Sequence, residues 1–118
     1  MRVVLVLMAV FTSSAAFAQA VDDKTLCPVA VQAFDKEDMR AIREVGLYIR
    51  NVFDRLDENH TDNGEPGIMA QFNDHGMGQL VAAAVEFCRQ HPKATIFNEA
   101  ANAYRGMRDI QMQFGIAK

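Results

Sequence analysis

The stretch that most constrains this chain runs from Gly78 to Pro92, an alanine-rich helical segment with a cysteine near its end and a proline stop. Val81, Ala84, Val85 and Cys88 fall at i, i+3, i+4 and i+7, which is one face of a helix. Cys88 therefore points where the apolar side chains point. Pro92 disfavours helix at His91, so the element ends there. The chain has only one other cysteine, Cys27. A cysteine on an inward face is either a packed thiol, a metal ligand or half of a crosslink.

The N-terminus bears on which of these applies. Met1-Arg2 is a short positive region, and Val3 to Phe11 is an almost unbroken apolar run. Ala16-Phe17-Ala18 then reads as a cleavage site, with Ala18-Gln19-Ala20 as a second choice. The pattern predicts a cleaved secretory signal over 1–18, or 1–20, and one domain over 19–118. The apolar run is too short to span a bilayer, and no later stretch approaches the required length. In an exported chain two cysteines read as one disulfide with one possible connectivity. Two free thiols or a metal pair are the alternatives, and no C-x-x-C motif is present. Closing a loop of this size removes about 4 kcal/mol of unfolded-state entropy, comparable to the whole stability of a small domain.

The order of elements points to an all-α fold. Residues 19–25 are polar and expected to be mobile. Cys27-Pro28 opens a short helix, with Cys27 as its cap. Asp35 caps the longest element, in which Met39, Ile42, Gly46, Ile49, Phe53 and Leu56 recur at helical spacing. Glycine in that seam implies close approach of a neighbouring helix or ring. Residues 57–67 carry every turn signal and read as a loop, followed by a short apolar turn at Ile68, Met69 and Phe72. Asp74 to Gly78 reads as a second connector. Thr95 caps a last helix whose apolar face holds Phe97, Ala100, Tyr104, Met107 and Phe114, with Arg105, Arg108 and Asp109 outside and a stop at Gly115. No run alternates with period 2. The sum is a single-domain bundle of three substantial helices plus one or two short ones, tied by one disulfide.

Composition excludes several classes. Without Arg2, eleven basic side chains face fifteen acidic ones, a net −4 with no basic stripe, so nucleic acid is not an expected partner. Asn59, Thr61, Asn63 and Gly64 match the first positions of a calcium loop, but Ala70 replaces the bidentate glutamate and Pro66 interrupts it. His60, His75 and His91 do not pair at helical spacing, so neither metal nor cofactor is expected. Ser13 and Ser14 are the only serines and lie in the signal. Asp22-Asp23 and Asp57-Glu58 sit in a tail and a loop, where carboxylates are solvated. The chain does not read as an enzyme.

An exported helical chain with one cysteine after the signal, and a second in Val85-Glu86-Phe87-Cys88-Arg89-Gln90-His91-Pro92, resembles the HdeA/HdeB family of periplasmic acid-stress chaperones. The match is a hydrophobic–acidic–aromatic–Cys–basic–x–x–Pro setting at a helix end. It implies periplasmic location, a homodimer near neutral pH, and a chain that loosens in acid to bind unfolding or partly folded clients. The apolar surface for clients or for the dimer is then expected at Ile42, Ile49, Phe53, Phe97 and Tyr104. Full protonation leaves eleven basic groups and three charged histidines, +14, which permits acid loosening. A second, weaker resemblance is to the Rap1a/Tai family of periplasmic immunity proteins. It rests on Gly46-Leu47-Tyr48-Ile49-Arg50-Asn51-Val52-Phe53-Asp54, on Gly78-Gln79-Leu80-Val81 and on His91-Pro92, and implies an effector-binding module. The Cys-x-Pro usual in that family is missing here.

Overall fold

The computed structural model describes residues 20–115. The expected signal peptide, its cleavage site and the tail at 116–118 lie outside the described residues. Four α-helices follow in order: α1 Cys27–Asp35, α2 Met39–Asp62, α3 Asp74–Gln90 and α4 Ile96–Gln113, with one 3₁₀ turn at Met69–Gln71. No strand occurs among the described residues, only an isolated antiparallel bridge between Leu26 and Thr95. The all-α expectation of three long helices and short companions holds, and Cys27 and Cys88 form a disulfide.

Helix boundaries follow local chemistry. Thr95 caps α4 by accepting from the Asn98 amide at 3.1 Å. The long helix begins at Met39 rather than at Asp35. Asp38 is its cap, accepting from the Ala41 amide, and Asp35 closes α1 instead. Between them the chain reverses through Glu37 at φ 53, a left-handed conformation unusual for a residue with a Cβ. At the other end α2 runs on to Asp62, so the first half of the expected loop is helix. The connector expected at 74–78 is helix too. Asn73 caps α3 on the Gly76 amide at 2.8 Å, and a Cβ on Gly76 would stand 3.1 Å from the Phe72 ring.

The core sits where the four helices meet. Val45, Ile49, Val52 and Phe53 of α2 face Leu80, Val81, Ala84, Val85 and Cys88 of α3 and Ile96, Ala100, Ala103 and Tyr104 of α4. Burying each such large side chain stabilises by about 1.5–3 kcal/mol. Two expectations on α4 are corrected. Arg108 is buried rather than outward, because it donates to the Pro66 carbonyl on the segment leaving α2. Phe114 is 69 % exposed, because it caps the helix end, beyond the last residue that packs. Gly115, at φ 69, stops the helix as expected. Gly46 is also corrected: nothing lies within 4 Å of a Cβ placed there, so no ring or helix presses on it.

Candidate functional site

The disulfide fastens the first residue of α1 to the last turn of α3, with the two Cα atoms 4.9 Å apart. Both cysteines are buried. Beside them the Cys27 amide donates to the Ala94 carbonyl and the Ile96 amide to the Thr25 carbonyl, each at 2.9 Å. The segment before α1 is thus bonded to the turn before α4, and three helix ends converge at one crosslink.

Two surface carboxylates extend this clamp. Asp23 receives the Tyr48 hydroxyl at 2.6 Å and both terminal nitrogens of Arg55, the nearer at 2.9 Å. The segment expected to be mobile is therefore strapped onto α2. The reason is spacing, since Tyr48 and Arg55 stand two turns apart on one face of α2. Asp35 receives Arg89 in a two-pronged pair, both bonds 2.9 Å, tying the end of α1 to α3. The Arg55 hydrogen bonds, then that of Tyr48, hold the Asp23 carboxyl below its ordinary 3.8, and Arg89 does the same for Asp35. Burial, then the bond to Asp23, pushes the Tyr48 hydroxyl upward. Arg55 also lies over the Phe97 ring, 5.3 Å from its centre, and so reaches α4.

A third carboxylate works inside. Asp57 accepts from the Ile68 amide at 2.7 Å, the Met69 amide at 3.2 Å and the Tyr104 hydroxyl at 2.7 Å. Gly67 makes this possible, because a Cβ there would lie 2.7 Å from an Asp57 carboxylate oxygen. His60 stacks on Tyr104 and its Nδ1 meets Glu65 at 2.8 Å. Burial and then Asp57 push the Tyr104 hydroxyl above its ordinary value, so it stays a donor. On α4 Glu99 is buried and meets His91 Nδ1 at 3.0 Å and the Asn98 amide group at 2.8 Å.

The five residues expected as an apolar surface are not together on the surface. Ile49, Phe53 and Tyr104 are core residues, at most 1 % exposed. The expectation took the centre of each apolar stripe as a surface, whereas the stripe centre is what four packed helices bury most. Only Ile42 and Phe97 are partly accessible, Phe97 beneath Arg55 and Ile42 at a groove between α2 and α3. The residues that actually strap the fold, Asp23, Asp35, Asp57, Glu99 and Arg108, escaped the sequence reading. One of them left a signal. Asp35 stands eight residues after Cys27 and Arg89 directly after Cys88, so accepting the disulfide brings the pair into reach.

Asn59 and Thr61 of the partial calcium motif lie in the last turns of α2, and no group of three or more metal-ligating side chains occurs among the described residues. No helix among them is long and apolar enough to cross a membrane. Comparison with family models finds no match, and comparisons with curated proteins and with solved structures find none either.

Proposed function

We propose that this chain is an exported, periplasmic acid-response chaperone of the HdeA/HdeB kind, which loosens at low pH and holds unfolding proteins on its uncovered core. The observation that carries this reading is the pair of carboxylate–arginine straps. Asp23 and Asp35 hold the N-terminal segment and α1 onto α2 and α3. Both carboxyls have a lowered pKa in the fold. Their stabilisation is complete above the ordinary carboxyl value of 3.8 and is lost as pH falls through the lowered one. The straps are thus firm at neutral pH and release in strong acid, when the chain also swings toward its full positive charge.

The disulfide sets what can move. Cys27 and Cys88 keep α1 on α3 at any pH, so loosening is directed to α2 and the strap before α1. Separation of α2 from α4 would uncover Ile49, Phe53 and Tyr104 and complete the exposure of Ile42 and Phe97. In this reading the five residues act as client surface only after opening.

The test is aggregation of a model client at pH 2 and at pH 7, with the disulfide intact or reduced beforehand. Suppressed aggregation at pH 2 alone, together with a rise in binding of an apolar dye, is the expected result. Client aggregation at pH 2 that is unchanged by the protein refutes the proposal.

A further inference from the structure

We propose that the groove between α2 and α3 binds a free α-amino acid with an aromatic or branched apolar side chain, held as its zwitterion. The groove encloses about 280 Å³. One wall is the row Ile42, Gly46 and Arg50 of α2, each four residues from the next. The other is Asp74, Met77, Gly78 and Val81 of α3, spaced i, i+3, i+4 and i+7. The two helices run in opposite directions, because Asp35, just before α2, pairs with Arg89 near the end of α3. Both walls therefore read the same way along the groove. Ile42 and Val81 stand at one end with Phe34 of α1, the glycines lie in the middle, and Arg50 and Asp74 stand at the other end.

Neither glycine is required by the fold. Both lie inside helices, neither has positive φ, and nothing stands within 4 Å of a Cβ on either. Glycine in a helix interior weakens it relative to alanine, and no contact within the chain offsets that. The pair keeps the floor of the groove open. The polar end carries one charge of each sign. Arg50 and Asp74 are exposed, and neither has an ion-pair partner among the described residues, not even the other. An anion alone would meet Asp74 there, and a cation alone would meet Arg50. A zwitterion satisfies both. Its carboxylate faces the Arg50 guanidinium, which can hold it by two parallel N–H···O bonds, and its ammonium faces Asp74. An α-amino acid bears both charges on one carbon and sends its side chain along the glycine floor toward Phe34, Ile42 and Val81. Length selects that side chain. Ile42 and Arg50 are eight residues apart, about 12 Å of helix, which leaves room for a ring or a branched chain but not for the acyl chain of a lipid.

The experiment is titration of the oxidised chain at pH 7 with L-phenylalanine and with L-leucine, followed by backbone amide shifts in two-dimensional NMR. The expected result is saturable shifts centred on Gly46 and Gly78, with a Kd on the order of 0.1–1 mM for ligands this small. Phenethylamine lacks the carboxylate and 3-phenylpropanoate lacks the ammonium. Each binds about 3- to 5-fold more weakly than phenylalanine, the worth of one exposed ion pair. Arg50→Gln weakens phenylalanine by the same factor and leaves phenethylamine unchanged. Asp74→Asn weakens phenylalanine likewise and leaves 3-phenylpropanoate unchanged. Gly46→Leu fills the floor and abolishes binding, while the open space around it lets the helix keep its fold, which circular dichroism checks. No saturable shift with either amino acid up to about 10 mM, well above the expected Kd, overturns the proposal. So does binding indifferent to Gly46→Leu, or equal binding of N-acetyl-L-phenylalanine amide, which has the ring and neither charge. None of these outcomes depends on the acid-chaperone reading, which is tested at pH 2 on a client.

Discussion

Tyr104→Phe removes one oxygen and leaves every apolar contact of the ring in place, so its effect isolates the bond to Asp57. That bond is 2.7 Å long, the ring is 1 % exposed, and the acceptor is a carboxylate. Hydrogen bonds to charged groups contribute about 1.5–3 kcal/mol. Asp57 keeps the amides of Ile68 and Met69, so no oxygen is orphaned and the lower half of that range applies, about 2 kcal/mol. For a domain of this length the loss lowers the melting temperature by about 10 °C. Asp57→Asn should cost more, about 3 kcal/mol, because one of two converging backbone donors then faces an amide that also donates. The two changes share a bond and should not add. With Asp57→Asn already in place, Tyr104→Phe should cost about 1–2 kcal/mol less than it does in the parent. Urea unfolding followed by far-ultraviolet circular dichroism, with an unchanged slope, measures all four corners. A Tyr104→Phe protein within about 0.5 kcal/mol of its parent, the usual scatter of a surface change, refutes Asp57 as the link joining α2, the 3₁₀ turn and α4.

Replacing both cysteines by alanine frees a 61-residue separation and should cost about 4 kcal/mol, seen as a lower urea midpoint that matches the reduced parent. Arg55→Ala and Arg89→Ala each remove the partner that lowers a carboxyl. Both proteins should therefore lose less stability than the parent between about pH 5 and pH 2, a difference readable in acid titration by circular dichroism and reduced by salt. Gly46→Ala should stabilise the chain by up to about 1 kcal/mol, since the added methyl meets nothing. Destabilisation in urea would show that a neighbour presses on α2 there.

The sequence carried the helices further than it carried their ends. Periodicity placed Ile49 and Phe53 on one face of α2, and Val81, Ala84, Val85 and Cys88 on one face of α3, because a helix repeats every 3.6 residues whatever it packs against. Thr95 and Gly115 were legible as start and stop because capping is a local matter between a side chain and the next turn. The cysteines allowed only one pairing. Asp57 was not legible. In sequence it stands among Glu58, Asn59 and Asp62 and reads as loop, yet the backbone of residues 68 and 69 and the hydroxyl of Tyr104, 47 positions away, turn it inward and draw the helix past it. Asp35 and Asp38 are equally good caps by residue type; in the fold Asp38 caps α2 on the Ala41 amide, while Asp35 ends α1 and pairs with Arg89, 54 positions away.

The faces of the helices were thus set by the sequence, and the depth at which each face lies was set by the fold. An apolar stripe states which side turns inward, but Tyr104 is buried and Phe114 exposed on the same stripe, because Phe114 stands at the C-cap of α4, past Arg108, the last residue that helix buries. The carboxylate straps belong wholly to tertiary structure. An aspartate's charge is local, whereas the guanidinium or hydroxyl that holds it arrives from another helix only once the disulfide and the core have brought the ends together.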